Sequence, residues 1–79
     1  MNIKIYGADW CPDCVNAKKL LKSKGVEFEY IVITDNKEAI SFVEKTNNGK
    51  RIIPTLVVDG ETHINPGING LMKILENKD

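Results

Sequence analysis

Apolar and polar positions alternate at the start of the chain. "NIKIYG" predicts a strand from Ile3 to Tyr6 that ends at Gly7. From Cys11 the spacing turns helical. Cys14, Ala17 and Leu21 share one face with Leu20 beside them, and Lys18, Lys19 and Lys22 form a solvated face outside. Pro12 suits the first helical position, where its missing N–H costs nothing, and Gly25 stops the helix. "VEFEYIVI" predicts a second strand, β-branched toward its end as in an interior strand. Asp35, with Glu38 three residues on, reads as the capping box of a second helix. Its buried stripe is Ala39, Ile40 and Val43, and "NNG" at 47–49 ends it. "TLVV", the turn "DG" and "ETHI" form a hairpin. Asn65-Pro66 then opens a last helix with Ile68, Leu71, Met72 and Leu75 on one face.

The order is βαβ followed by ββα. A strand–helix–strand unit is parallel and right-handed, whereas a hairpin is antiparallel. An α/β arrangement satisfies both: one four-stranded mixed sheet flanked by three helices, with every apolar stripe buried.

Composition narrows the class. The 79 residues suit a single small domain spanning 1–79. A formal net charge of zero argues against a broad surface for nucleic acid or a membrane. It also supplies no case for an oligomer, so a monomer is expected. "IKIY" is followed by polar and acidic residues, which is no signal peptide, and no long apolar window exists. Cytoplasm is the expected compartment, where cysteines stay reduced.

The chain has 2 cysteines, and "WCPDC" holds both. Two cysteines this close close too small a loop to act as a strong staple. Zinc needs about four ligands, and the other candidate, His63, is a polar strand residue far along the chain. A redox Cys-x-x-Cys beside a βαβ unit is the specific match. Cys11 falls at the helix N-terminus, where free N–H groups and the helix dipole favour thiolate over thiol. Cys14 comes one turn later and faces the core. Cys11 is therefore the expected nucleophile, and Cys14 the residue that resolves the mixed disulfide. Asp13 favours the helix start, yet its charge opposes a thiolate at Cys11. Lys18 lies about 10 Å along the axis from Cys11 and can tune it only weakly.

"CPDC", "RIIPT" and the Gly67 region stand in the order and spacing of the glutaredoxin family. Nearly the whole chain resembles that family, and "SFVEKTNNGKRIIPTLVVDGETHINPG" resembles its mycoredoxin type. The resemblance implies a thioredoxin-like fold and thiol–disulfide oxidoreductase activity. It implies that Cys11 is the nucleophile and that Pro54 is cis. It further implies that Ile53 pairs with the substrate backbone and that Arg51 holds a carboxylate of the thiol co-substrate. The implied thiol site also takes in Trp10, Pro12, Asp13, Gly67 and Ile68. Three positions depart from the usual glutaredoxin pattern. Asp13 replaces a tyrosine, Ala8 replaces a lysine, and Pro66 to Gly70 lack the acidic residues that grip the glutamyl end of glutathione.

The expected function is reduction of protein disulfides, or of mixed disulfides with a low-molecular-weight thiol. No tightly bound cofactor is expected, and glutathione or another small thiol serves as co-substrate. Partners would be disulfide-containing or thiolated proteins and a thiol or thioredoxin reductase system. A thioredoxin-like carrier reduced by a flavoprotein reductase is the main alternative. An iron–sulfur protein that binds its cluster through an exposed Cys11 is the remaining one.

Overall fold

The computed structural model describes residues 2–77. Seven elements follow one another: β1 (Ile3–Gly7), α1 (Pro12–Ser23), β2 (Glu29–Val32), α2 (Lys37–Thr46), β3 (Thr55–Val58), β4 (Glu61–Ile64) and α3 (Gly67–Asn77). The alternation in "IKIYG" gives β1 two packed faces. It runs through the sheet interior, parallel to β2 and antiparallel to β3, and the strand order is β2-β1-β3-β4. The registers Ile5↔Tyr30 and Ile5↔Leu56 fix which side chains share a face.

One face of the sheet carries Ile3, Ile5, Leu56 and Val58. These pack on Ala17 and Leu21 of α1 and Leu71 of α3. The other face is covered by α2, whose Ala39 and Val43 join Ile33, with Tyr6 and Ile31 packed alongside. Tyr6 stacks on Phe42 with ring centroids 4.7 Å apart. Leu21 is fully buried between α1 and the sheet. Truncating a leucine so placed to alanine costs about 2–5 kcal/mol.

The Asp59-Gly60 turn has both residues at positive φ, 49° and 86°. That is the conformation a two-residue hairpin selects, and it is why Asp-Gly stands there. Among the described residues no helix is long and apolar enough to cross a membrane.

Four expectations need correction. β2 is shorter than "VEFEYIVI" and lies at the sheet edge, not in its interior. Ile31 packs on the face covered by α2, and Val32 is left exposed. The cap of α2 is Asn36, whose side chain accepts from the Ala39 N–H at 3.1 Å. Asp35 cannot cap because it sits at φ 60°, turning the chain into the helix. In α3 the core contacts come from Leu71, Ile74 and Leu75. Ile68 is exposed, because the first turn of α3 overhangs a cleft instead of the core.

Candidate active site

The end of β1 and the start of α1 build the site. After Gly7 the chain turns through Ala8–Cys11, closed by a bond from the Cys11 N–H to the Ala8 carbonyl at 3.3 Å. Cys11 then becomes the N-cap of α1, with extended φ and ψ, and Pro12 takes the first helical position. Its Sγ accepts from the Cys14 N–H at 3.2 Å. The role usually filled by a serine or aspartate oxygen is filled here by sulfur, which is a better acceptor as an anion than as a thiol.

Cys14 lies one turn on and is fully buried, with Ala8 and Cys11 in one apolar cluster that Tyr30 and Ile53 complete. Both cysteines are free thiols. Burial pushes the Cys14 thiol up to about 12, and the neighbouring Cys11 adds to this. The Ala8 backbone and the Tyr30 hydroxyl pull the other way. Cys11 is also more enclosed than its expected exposure, at 7%. The N-cap turn folds it against Ala8 and Ile53, so only a small part of the residue meets solvent.

Around the cysteines the predicted residues separate into two groups. Asp13, Pro54, Gly67 and Ile68 line one shallow cleft between α1 and the start of α3, where Asn16 and Asn65 also contribute. The Ile53–Pro54 peptide is cis, and Ile53 packs against the cysteine cluster. Trp10 projects from the turn and is 74% exposed. Arg51 stands apart. Its guanidinium reaches Glu44 of α2 at 3.4 Å and is not among the cleft residues. His63 sits half-buried on β4 with Nε2 3.8 Å from the Glu61 carboxylate.

Two residues of the site carry no recognisable sequence signal. Gly7 reads as the end of a strand, but a β-carbon there would meet Cys14 Sγ at 2.8 Å and the Tyr30 hydroxyl at 3.0 Å. Tyr30 reads as one more β-former. Its hydroxyl donates to the Ala8 carbonyl at 3.0 Å, across 22 positions of sequence. Burial pushes its phenol up to about 12, and the charges of Cys14, Asp9 and Cys11 act in the same direction. Lys18 does not belong to a solvated face alone: its ammonium lies 4.4 Å from the centroid of the Tyr30 ring.

A sulfur acceptor at a helix start beside a second, buried thiol is chemically able to exchange with disulfides. Comparison with known proteins places that arrangement. Residues 3–64 match the glutaredoxin family model. Mycoredoxin 1 of Corynebacterium glutamicum is 40% identical over 63 residues, covering 78% of this chain and 76% of that protein. Glutaredoxin 3 of Escherichia coli K12 is 35% identical over 60 residues, 76% of this chain and 71% of that protein. Among solved structures, a variant of the thioredoxin-like protein BC3987 superimposes with a TM-score of 0.80 at 29% identity, covering 92% of this chain and 97% of that one. The matched span contains both cysteines, the cis Pro54 and the whole four-stranded sheet, and the chain belongs to the glutaredoxin family.

Proposed function

We propose that this protein reduces protein disulfides and mixed disulfides by a Cys11-first, Cys14-second exchange. The observation that carries the reading is the pair itself: Cys11 sulfur as the acceptor of the helix N-cap, with a fully buried thiol one turn behind it. The Cys11 thiolate attacks a substrate disulfide R–S–S–R′. A Cys11–S–S–R bond forms, and R′–S⁻ leaves and takes a proton from water. Cys14 sulfur then displaces R–S⁻ from Cys11, giving the Cys11–Cys14 disulfide. Two electrons have passed from the dithiol to the substrate.

Substrate positioning follows from the cleft. Among the described residues neither the N–H nor the C=O of Ile53 pairs with another backbone group. That edge suits an extended peptide or a peptide-like thiol. The amides of Asn16 and Asn65 and the start of α3 at Gly67 suit its carbonyl and carboxylate groups. A low-molecular-weight thiol such as glutathione is the co-substrate that reduces the oxidised protein. Its site of action is a reducing compartment, where small thiols return a Cys-x-x-Cys pair to its dithiol form.

One observation favours a second electron donor. Asp13 is the charged residue of the cleft, while Arg51 is engaged by Glu44. A cleft of that charge gives an anionic small thiol little electrostatic help, which favours a flavoprotein reductase as the donor. The test reads both points. Cys11→Ser should abolish disulfide reduction, and Cys14→Ser should keep activity toward mixed disulfides only. Full activity in Cys11→Ser would sink the mechanism. Reduction of the oxidised protein by thioredoxin reductase with NADPH, and not by small thiols, would select the second donor.

A further inference from the structure

Among the described residues, Tyr30 sets a polar side chain against the buried cysteine. Its hydroxyl oxygen and Cys14 Sγ both lie within 3.0 Å of the point where a Gly7 β-carbon would stand. The space between them exists because position 7 has no side chain. The hydroxyl has one hydrogen, which it gives to the Ala8 carbonyl at 3.0 Å. Its oxygen is free to accept from the Cys14 thiol. The ring is fixed from above by the Lys18 ammonium at 4.4 Å. The other charges that bear on the phenol are Asp9 in the turn and Cys11 at the helix cap.

The geometry points to Tyr30 as a catalytic residue of the resolving step, one that hydrogen-bonds the Cys14 sulfur while it is an anion. This deepens the exchange mechanism proposed above and rests on it. The step is Cys14–SH + Cys11–S–S–R → Cys11–S–S–Cys14 + R–SH. The Cys14 proton ends on the departing thiol. Before attack the sulfur must be an anion in an apolar pocket, where burial disfavours it. Tyr30 answers this by turning its hydroxyl hydrogen from the Ala8 carbonyl to Cys14 Sγ. The carbonyl that loses its partner lies in the same turn and keeps its bond from the Cys11 N–H.

Removing one hydrogen bond to the anion should cut the thiolate fraction by about 10- to 100-fold. The remaining thiolate is more nucleophilic, which returns a little under half of that loss on a logarithmic scale. The net slowing of resolution is then about 3- to 15-fold.

Dithiodipyridine separates the two steps, because each releases one thiopyridone. The first phase is attack by Cys11, and the second is displacement by Cys14. In Tyr30→Phe the first phase should be unchanged. The second should slow by about 3- to 15-fold, with its pH profile moved to higher pH. An unchanged second phase, or equal slowing of both phases, overturns the assignment. Equal slowing would mean that Tyr30 only braces the Ala8–Cys11 turn. Absence of any first phase in the unsubstituted protein would instead refute the Cys11 nucleophile. Should Tyr30→Phe not fold, monofluorotyrosine placed at position 30 keeps the shape and donates more strongly. It should speed the second phase alone, and no change in that phase again overturns the assignment.

Discussion

Gly7 offers a direct test of how tightly the cysteine pair is packed. Consider Gly7→Ala. The added β-carbon would stand 2.8 Å from Cys14 Sγ, 3.1 Å from Cys14 Cβ and 3.0 Å from the Tyr30 hydroxyl. Carbon and sulfur normally approach no closer than about 3.5 Å, so something must move. Cys14 is fixed on α1 and fully buried, and cannot swing aside into solvent. Overpacking of this kind costs about 1–3 kcal/mol. Against it stands the lower chain entropy of alanine in the unfolded state, worth about 0.4–1 kcal/mol. The net loss is about 0.5–2 kcal/mol, a fall in Tm of several degrees for a domain this small. A double-mutant cycle isolates the cause. In a Cys14→Ala background the closest contact is gone, so Gly7→Ala should cost at least about 1 kcal/mol less there. Denaturant unfolding of the four reduced proteins gives the comparison. Equal costs in both backgrounds would refute the close approach as the reason for glycine.

Other outcomes follow from the same geometry. Asn47 is buried, and its amide donates to the Val43 carbonyl at 2.6 Å and to Thr55 Oγ1 at 3.4 Å. Asn47→Ala should therefore cost about 1–3 kcal/mol in chemical denaturation, and an unchanged midpoint would show the network to be idle. Arg51 and Glu44 form an exposed pair. Arg51→Ala should change stability by less than about 1 kcal/mol, and a raised KM for a small-thiol disulfide would be its signature if it turns from Glu44 to the substrate. Asp13→Asn should lower KM for anionic disulfides by about threefold, from a charge at ~6 Å in a dielectric of ~80, and the gain should vanish at high salt. The folded protein keeps the Cys14 proton to about pH 12, whereas the free thiol releases it near 9.0. Between those values the unfolded chain binds fewer protons, so stability is lost as pH rises, by up to about 1.4 kcal/mol per pH unit. Cys14→Ala should flatten that slope, and an unchanged slope would count against the buried-thiol account.

What the sequence discloses here is what short-range pattern encodes. The Cys-x-x-Cys pair, Pro12 at the first helical position, the Asp59-Gly60 turn and the Ala39/Val43 stripe depend on neighbours within one or two turns. All four appear in the structure where the spacing puts them. The features it conceals depend on contacts remote in sequence. Nothing in "VEFEYIVI" says that β2 lies at an edge, because strand order is set by how the later hairpin pairs with β1. Nothing near Tyr30 says that its hydroxyl meets Ala8, and nothing near Gly7 says that Cys14 fills the space beside it. Arg51 illustrates the converse. The family resemblance implies that it holds a carboxylate of the thiol co-substrate, and in the structure it stands 3.4 Å from the Glu44 carboxylate on α2.

The burial of Cys14 has a consequence for how the two cysteines divide their work. A neutral thiol behaves as a small apolar group and is cheap to bury, whereas its anion is costly in the same place. The reduced protein therefore stores Cys14 as a neutral thiol within its core. Cys11 differs, because it stands at the helix cap with a backbone N–H directed at its sulfur. In the exchange proposed above, resolution is held back until Cys14 gives up its proton. On that proposal, the lifetime of the mixed disulfide at Cys11 is set by that proton. During it a small thiol from solution competes with Cys14 for the same sulfur. At low thiol the dithiol route through Cys14 completes the reaction, and at high thiol the external attack overtakes it. The partition between the two routes should shift toward Cys14 as pH rises within the stable range, because burial opposes ionisation of the internal thiol while the external thiolate is held constant. The proportion of Cys11–Cys14 disulfide trapped by acid quench, measured against pH at fixed thiolate concentration, reads that partition, and a ratio independent of pH would mean that burial of Cys14 does not control its reactivity.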